Sequence, residues 1–400
     1  MANVQQSGQL GAGNIGASFR DQYRRSLARM NGGLLEGNSA VAGPPAELAG
    51  RVDQIRGDLL RVVDVVLQGD SEARGLVERL AKDGGAALAL LANDDVKLVP
   101  GSKHAADLEA IVRADGSRPS FLIRNGVVDF DSSPVGTWQG ALMLSAEHLP
   151  GPLACVGRID LDGEHEGTGF LVADEVICTN RHVLQSVAVR SDKQWQVRPN
   201  VSIDFGQEFR AQDSLDRRDV LEVLYSGPDT VGDPVDYKKL DLVLLRVSPA
   251  AKAGKQVLSV DIAPDWPDGA VDVYVVGYAA KPAANYSPSL LEQLFKVTWG
   301  KKRLAPGSTI KPRATSEAWT FGHDATTLNG NSGSVVLVAG REHMAAGIHF
   351  GGRRGELAEN WGHIFGLTLG APDLTSGRTL RECFERLGVV LLDRLESDGA

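Results

Sequence analysis

The stretch GTGFLVADEVICTNRHVL, residues 167–184, sets how the rest of the chain is read. It has strand character, with short apolar runs broken by a turn, and carries a histidine, His182, near its end. The same pattern runs from position 119 through SFLIRNGVVDF, ALMLSA, LACVGRIDLD, VSIDF, VLEVLY, LDLVLLRV, AVDVYVVGY, LFKVTWG, AWTFG, SVVLVAG, MAAGIHF and HIFGLTL. Roughly a dozen short strands separated by turn signals, without helices between them, predict a sandwich or barrels rather than a βαβ sheet.

Two further segments carry chemistry. In LDLVLLRV (240–247), Asp241 stands in an otherwise apolar run, where an unpaired carboxylate would be costly, so it needs a partner. In LNGNSGSVVLV (328–338), Ser332 is flanked by Gly330, Asn331 and Gly333, small residues that let the backbone approach a substrate. A serine hydroxyl is a poor nucleophile at neutral pH until an imidazole removes its proton, and His182 is the candidate base. Each motif alone is ambiguous, since a lone histidine, aspartate or Asn-Ser-Gly loop has many structural uses. Their joint occurrence in the order His, Asp, Ser, with spacings of 59 and 91 residues, is specific.

Together these segments resemble the trypsin-like (chymotrypsin-fold) serine peptidases over about residues 155–370. The resemblance implies a double β-barrel, an α+β chain overall, with a His182–Asp241–Ser332 triad and an oxyanion hole formed by the amides of Gly330 and Ser332. Asn331 precedes the serine where digestive proteases have an aspartate, so activation through an ion pair with a newly formed N-terminus is excluded. Val183 occupies a position where secreted members often place a disulfide cysteine, and Cys178 reads as a buried strand residue.

The sequence DATTLNGNSGS followed by GIHFGG is similar to the bacterial glutamyl endopeptidases. That resemblance implies that Thr327 and His349 bind an acidic P1 side chain, beside Gly351 of GIHFGG, and that Gly362 keeps the pocket mouth open. A carboxylate entering a partly desolvated pocket needs strong donors, and a histidine with a hydroxyl supplies them. The alternative for His349 is a neutral core histidine. In that family the mature N-terminal amine joins the pocket, whereas about 150 residues precede the peptidase here. Arg353 and Arg354 are candidate substitute cations.

Upstream, Leu48, Val52, Ile55, Leu59, Val62 and Val66 recur at helical spacing, and a second helix is expected from an Asp70/Ser71 cap with Leu76, Val77 and Leu80 on its face. Leu88 to Leu91 and Leu108 to Val112 suggest two more, and Phe19, Tyr23, Leu27 and Met30 a short one. The expected organisation is a leader (1–44), a small helical domain (45–118), a connecting segment (119–150), the peptidase domain (151–375) and a C-terminal helix (376–400, helical over about 378–396).

Four hundred residues, 42% of them apolar, favour more than one domain, and 46 glycines with 18 prolines suit a turn-rich β-protein. A net charge of −9 without a long basic block argues against nucleic acid as a partner. Three widely spaced cysteines, Cys155, Cys178 and Cys383, argue against a disulfide framework and a zinc cluster, and His165, His323, His343 and His363 show no zinc-ligand spacing. No stretch reaches 18 apolar residues and the N-terminus lacks a signal-peptide pattern, so a cytoplasmic protein without a membrane partner is expected. Neither metal nor cofactor is expected. The leading reading is an intracellular endopeptidase acting on proteins or peptides, with a helical domain that regulates it or recruits a partner protein. The competing one is a catalytically idle interaction platform on a protease fold.

Overall fold

The computed structural model describes residues 45–92, 118–133, 135–192, 194–210, 216–232, 236–251, 256–280, 298–312, 315–327, 330–353 and 359–393. The helices expected near Phe19 and Leu108 lie outside them, as do Arg354 and most of LFKVTWG.

The upstream region is a helical hairpin of α1 (Pro45–Val66) and α2 (Ser71–Ala92). Ile55, Leu59, Val62 and Val66 form the buried stripe of α1, and Leu76, Val77 and Leu80 that of α2, as the periodicity predicts. Asp70 Oδ1 accepts the Ala73 N–H at 2.8 Å and so caps α2, which runs on through Leu88–Leu91 without a break. Between the helices Gln68 and Gly69 take positive φ (54° and 75°), which closes the turn.

The hairpin is not free of the β-region. Val62 and Val66 pack with Leu122 and Phe209, and Arg210 Nη2 donates to the Val65 carbonyl at 2.9 Å. Leu122 lies on β1 (Phe121–Arg124), which turns through Asn125-Gly126, both at positive φ, into β2 (Val127–Asp129). An Asn-Gly pair between two strands is a two-residue hairpin turn. Because β1 pairs through Phe121 with Leu304, the strand-like run SFLIRNGVVDF at the start of the connecting segment 119–150 adds two strands to the sheet of the second barrel. ALMLSA, read as a strand, lies in α3 (Gln139–Ser145). Leu142 and Ser145, three apart, are its buried residues, while Met143 and Leu144 face outward, so a short apolar run had concealed a helical period.

The first barrel is closed by β3 (Val156–Leu161), β4 (Glu164–Ala173), β5 (Val176–Thr179), β8 (Val201–Asp204), β9 (Arg217–Ser226) and β10 (Val243–Val247). Its chain also carries α4 (Arg181–Val187) and an outlying hairpin of β6 (Ala188–Ser191) and β7 (Gln194–Val197). After β11 (Ser259–Asp261) the second barrel follows. Its strands are β12 (Asp272–Tyr278), β13 (Lys302–Ile310), β14 (Thr320–His323), β15 (Val335–Val338), β17 (Gly347–Arg353) and β18 (Glu359–Ile364), closed by β12 pairing with both β13 and β15. The short β16 (Met344–Ala345) pairs with β11.

The C-terminal helix, α5 (Leu380–Arg386), is shorter than the 378–396 expected. Thr379 and Glu382 form a capping box at its start, and Gly388 at φ 72° turns the chain out of it. Leu391–Leu392 then form β19 beside β11. No described helix is long and apolar enough to cross a membrane.

Candidate active site

Asp241 is 2% exposed, and each of its polar atoms is held. Oδ2 lies 2.6 Å from His182 Nδ1, and Oδ1 accepts the His182 backbone N–H at 2.9 Å. The Asp241 carbonyl accepts from Asn180 Nδ2 at 2.8 Å, and its own N–H donates to His363 Nε2 at 3.1 Å. The partner that a carboxylate in this apolar run requires is therefore His182, as expected.

His182 sits in the first turn of α4, directly after β5. Its neighbour Arg181 is fully buried, donates to the Gly227 carbonyl and stacks over Trp195 at 4.4 Å, which anchors the turn. The His182 side chain stays about one-third exposed, open to a substrate.

Ser332 is carried by the second barrel but tied to the first through Thr168 of β4. The Thr168 N–H donates to the Ser332 carbonyl at 2.8 Å, and its Oγ1 donates to the Gly330 carbonyl at 3.0 Å while accepting from Tyr278 N–H. Gly330 (φ 90°) and Gly333 (φ 85°) bracket the serine in a conformation that L side chains avoid. Space forbids them too: a Cβ would come within 2.5 Å of Ala280 N at Gly330 and 2.0 Å of Thr168 O at Gly333. Gly167 is where the two halves meet, since a Cβ there would strike Val183, next to His182, and approach the Ser332 carbonyl.

The residues expected to read P1 gather nearby. His349 on β17 is opposite Gly362 on β18, and Gly333 N–H donates to the His349 carbonyl. His349 is 3% exposed; burial, with His323 beside it, holds its pKa well below the usual imidazole value. Its Nδ1 lies 3.1 Å from His323 Nε2. Thr327 Oγ1 donates to Asn360 Oδ1 at 2.6 Å, and Asn360 in turn donates to the Ala325 carbonyl. At Gly362 a Cβ would press on the Phe321 ring at 2.5 Å, so packing by itself demands the glycine. A Cβ at Gly351 would meet Trp361 at ordinary contact distance.

Sequence reasoning did not single out Asn180, Thr168, His323, Asn360 or a role for His363. Asn180 and Thr168 lie within the opening motif, where a polar residue at the edge of an apolar run signals only that a buried polar group needs a partner. Cys178 is fully buried and its thiol pKa is pushed far up by desolvation, so it is inert. Among the described residues no group of three or more His, Cys, Asp or Glu side chains is placed to hold a metal.

Residues 167–343 match the trypsin-like peptidase domain family. A probable serine protease of Lysobacter enzymogenes is 28% identical over 365 residues, spanning 85% of this chain and 90% of that protein. Among solved structures, neuropsin, a serine protease of mouse brain, aligns at TM-score 0.40 and 16% identity over 54% of this chain and 91% of its own. A Glu endopeptidase aligns at 0.38 and 16% identity over 53% and 85%. Two closed six-stranded barrels, the motif order and the family match over residues 167–343 identify that region as a trypsin-like peptidase domain, which makes the protein a serine peptidase.

Proposed function

We propose that the protein is an endopeptidase working through a His182–Asp241–Ser332 triad. The observation that carries this reading is the double contact of Asp241 with His182, which fixes the imidazole with Nδ1–H toward the carboxylate and leaves Nε2 to act as the base. Ser332 Oγ attacks the scissile carbonyl carbon and its proton passes to His182. The resulting oxyanion is stabilised by the amides of Gly330 and Ser332. His182 then protonates the leaving amine, the C–N bond breaks, and water, deprotonated by His182, releases the acyl group from Ser332.

The P1 preference in this reading is acidic. His349, which burial keeps neutral, reads the carboxylate through a ring N–H rather than a charge, with Thr327 turning its hydroxyl from Asn360 toward the substrate. The α1–α2 hairpin, docked on Leu122 and Phe209, serves as the regulatory or partner-recruiting element. Cys155, Cys178 and Cys383 are all free thiols, which supports a reducing, cytoplasmic location.

A fluorophosphonate probe tests the central claim. Labelling should map to Ser332 in the wild type and vanish in Ser332→Ala and His182→Ala with folding intact. Labelling retained in Ser332→Ala would overturn it. A peptide library that returns Lys, Arg or a large apolar P1 would overturn the acidic pocket while leaving the triad standing.

A further inference from the structure

The geometry points to His363 as a positioning residue for the Asp241–His182 pair, coupling the strand that borders the substrate to the aspartate. It rests on the triad reading above and assigns His363 no contact with substrate.

His363 is fully buried on β18, one residue after Gly362 and opposite Ile348 of β17, the strand that carries His349. Its Nε2 accepts the Asp241 backbone N–H at 3.1 Å. An imidazole nitrogen accepts only when it bears no proton, so the ring is the Nδ1–H tautomer. Burial favours that neutral form. The Asp241 main chain is thereby held from both sides, by Asn180 on its carbonyl and His363 on its amide, while the carboxylate is left to His182.

The ring itself is fixed by aromatic neighbours. Phe350 stacks on it with centroids 4.3 Å apart and planes 19° from parallel, and Trp319 meets it edge-on at 6.5 Å. Trp319 Nε1 donates to the Tyr237 carbonyl, and Tyr237 packs edge-on against Trp361 of β18. The 236–241 segment that delivers Asp241 is thus locked onto β18 through both rings and the amide bond.

Packing alone does not account for a histidine here. Among the described residues Nδ1 of His363 is buried with no hydrogen-bond partner, a cost that a phenyl ring in the same stack would avoid. What the imidazole adds is the acceptor for Asp241. A small displacement of that main chain would swing the carboxylate away from Nδ1 of His182, and misplacements of about 1 Å can cost on the order of a hundredfold in rate.

The test compares H363F, which keeps the stack and removes the acceptor, with H363Q, which restores an acceptor oxygen. Turnover is measured on the protein's best library peptide, together with the low-field proton resonance of His182 Nδ1–H. H363F should lower kcat by roughly 10- to 100-fold with KM nearly unchanged, and should shift or broaden the resonance. H363Q should recover most of both. Wild-type kcat with an unchanged resonance in H363F would overturn the proposal, as would equal losses in H363F and H363Q. Should H363F fail to fold, H363M, also without a ring nitrogen, is read in its place; failure of both makes His363 a folding residue and overturns it too. If the wild type is not labelled at Ser332, the peptidase reading falls, whereas the resonance and its response to H363F still decide this one.

Discussion

Asp241 grips His182 at two points, side chain to side chain at 2.6 Å and side chain to main chain at 2.9 Å, so one carboxylate fixes both the tautomer and the backbone of the base. Asp241→Asn keeps an oxygen for the backbone contact but can present an amide N–H to the ring, which favours the wrong tautomer. The variant should fold with a melting temperature close to wild type and lose about 10³- to 10⁴-fold in kcat. Full activity in Asp241→Asn, measured on the preferred peptide, would remove the aspartate from the triad.

Gly333→Ala and Gly340→Ala separate backbone strain from steric exclusion. Both residues have φ near 85°, yet a Cβ at Gly340 meets nothing within 4 Å, whereas at Gly333 it collides with Thr168 O. Gly340→Ala should cost about 1 kcal/mol and leave turnover intact. Gly333→Ala should cost several-fold more in denaturant unfolding and abolish turnover, because the Ser332 loop must leave Thr168. Equal effects from the two substitutions would show that the loop is not held as described.

Buried histidines make stability pH-dependent. Desolvation holds His323 at about 3, with nearby Arg118 adding to it, and holds His165 and His363 at about 4, against 6.5 for a free imidazole. Below about pH 6.5 the unfolded chain takes up protons that the folded chain refuses until about pH 4, so stability is full above this window and falls as pH drops through it. The melting temperature should decline from pH 6.5 to 4. His323→Phe should flatten the slope by up to about 1.4 kcal/mol per pH unit. A flat wild-type profile would contradict the burial of these rings.

Arg118, just upstream of β1, clamps the wall that precedes the serine. Its Nη2 pairs with Asp324 at 3.2 Å, and its carbonyl accepts from Thr326 Oγ1, one residue before Thr327. Arg118→Ala should loosen this wall, raising KM for the preferred peptide roughly 3- to 10-fold while kcat changes little, equivalent to about 0.7–1.4 kcal/mol of lost binding. A kcat loss at constant KM would place Arg118 in the chemistry instead.

The parts of the site legible in the sequence were those whose chemistry forces its own context. A histidine after a buried strand, a carboxylate in an apolar run and a serine between glycines each break a local pattern, and their order narrows the fold. Strand spacing narrowed the fold to a sandwich or barrels, and the resemblance carried by the three motifs singled out the double barrel. What stayed hidden depends on contacts across the chain: His363 meets Asp241 over 122 residues, and Asn180 meets it over 61. SFLIRNGVVDF read as strand, but nothing local to Phe121 announces its pairing with Leu304. Gly362 was read by analogy as an opening, and only its neighbour Phe321, 41 residues earlier in sequence, reveals that it also makes room for a ring.

Thr168 has a further consequence. It belongs to one barrel and spends its amide and hydroxyl on the loop of the other, while His182 and Asp241 come wholly from its own side. Neither barrel owns a working centre: one holds a base without a nucleophile, the other a nucleophile without the stitch that sets its loop. Turnover is therefore a gauge of assembly, and a chain divided between β10 and β11 would be silent as fragments and report by its activity whenever the two are brought back into register.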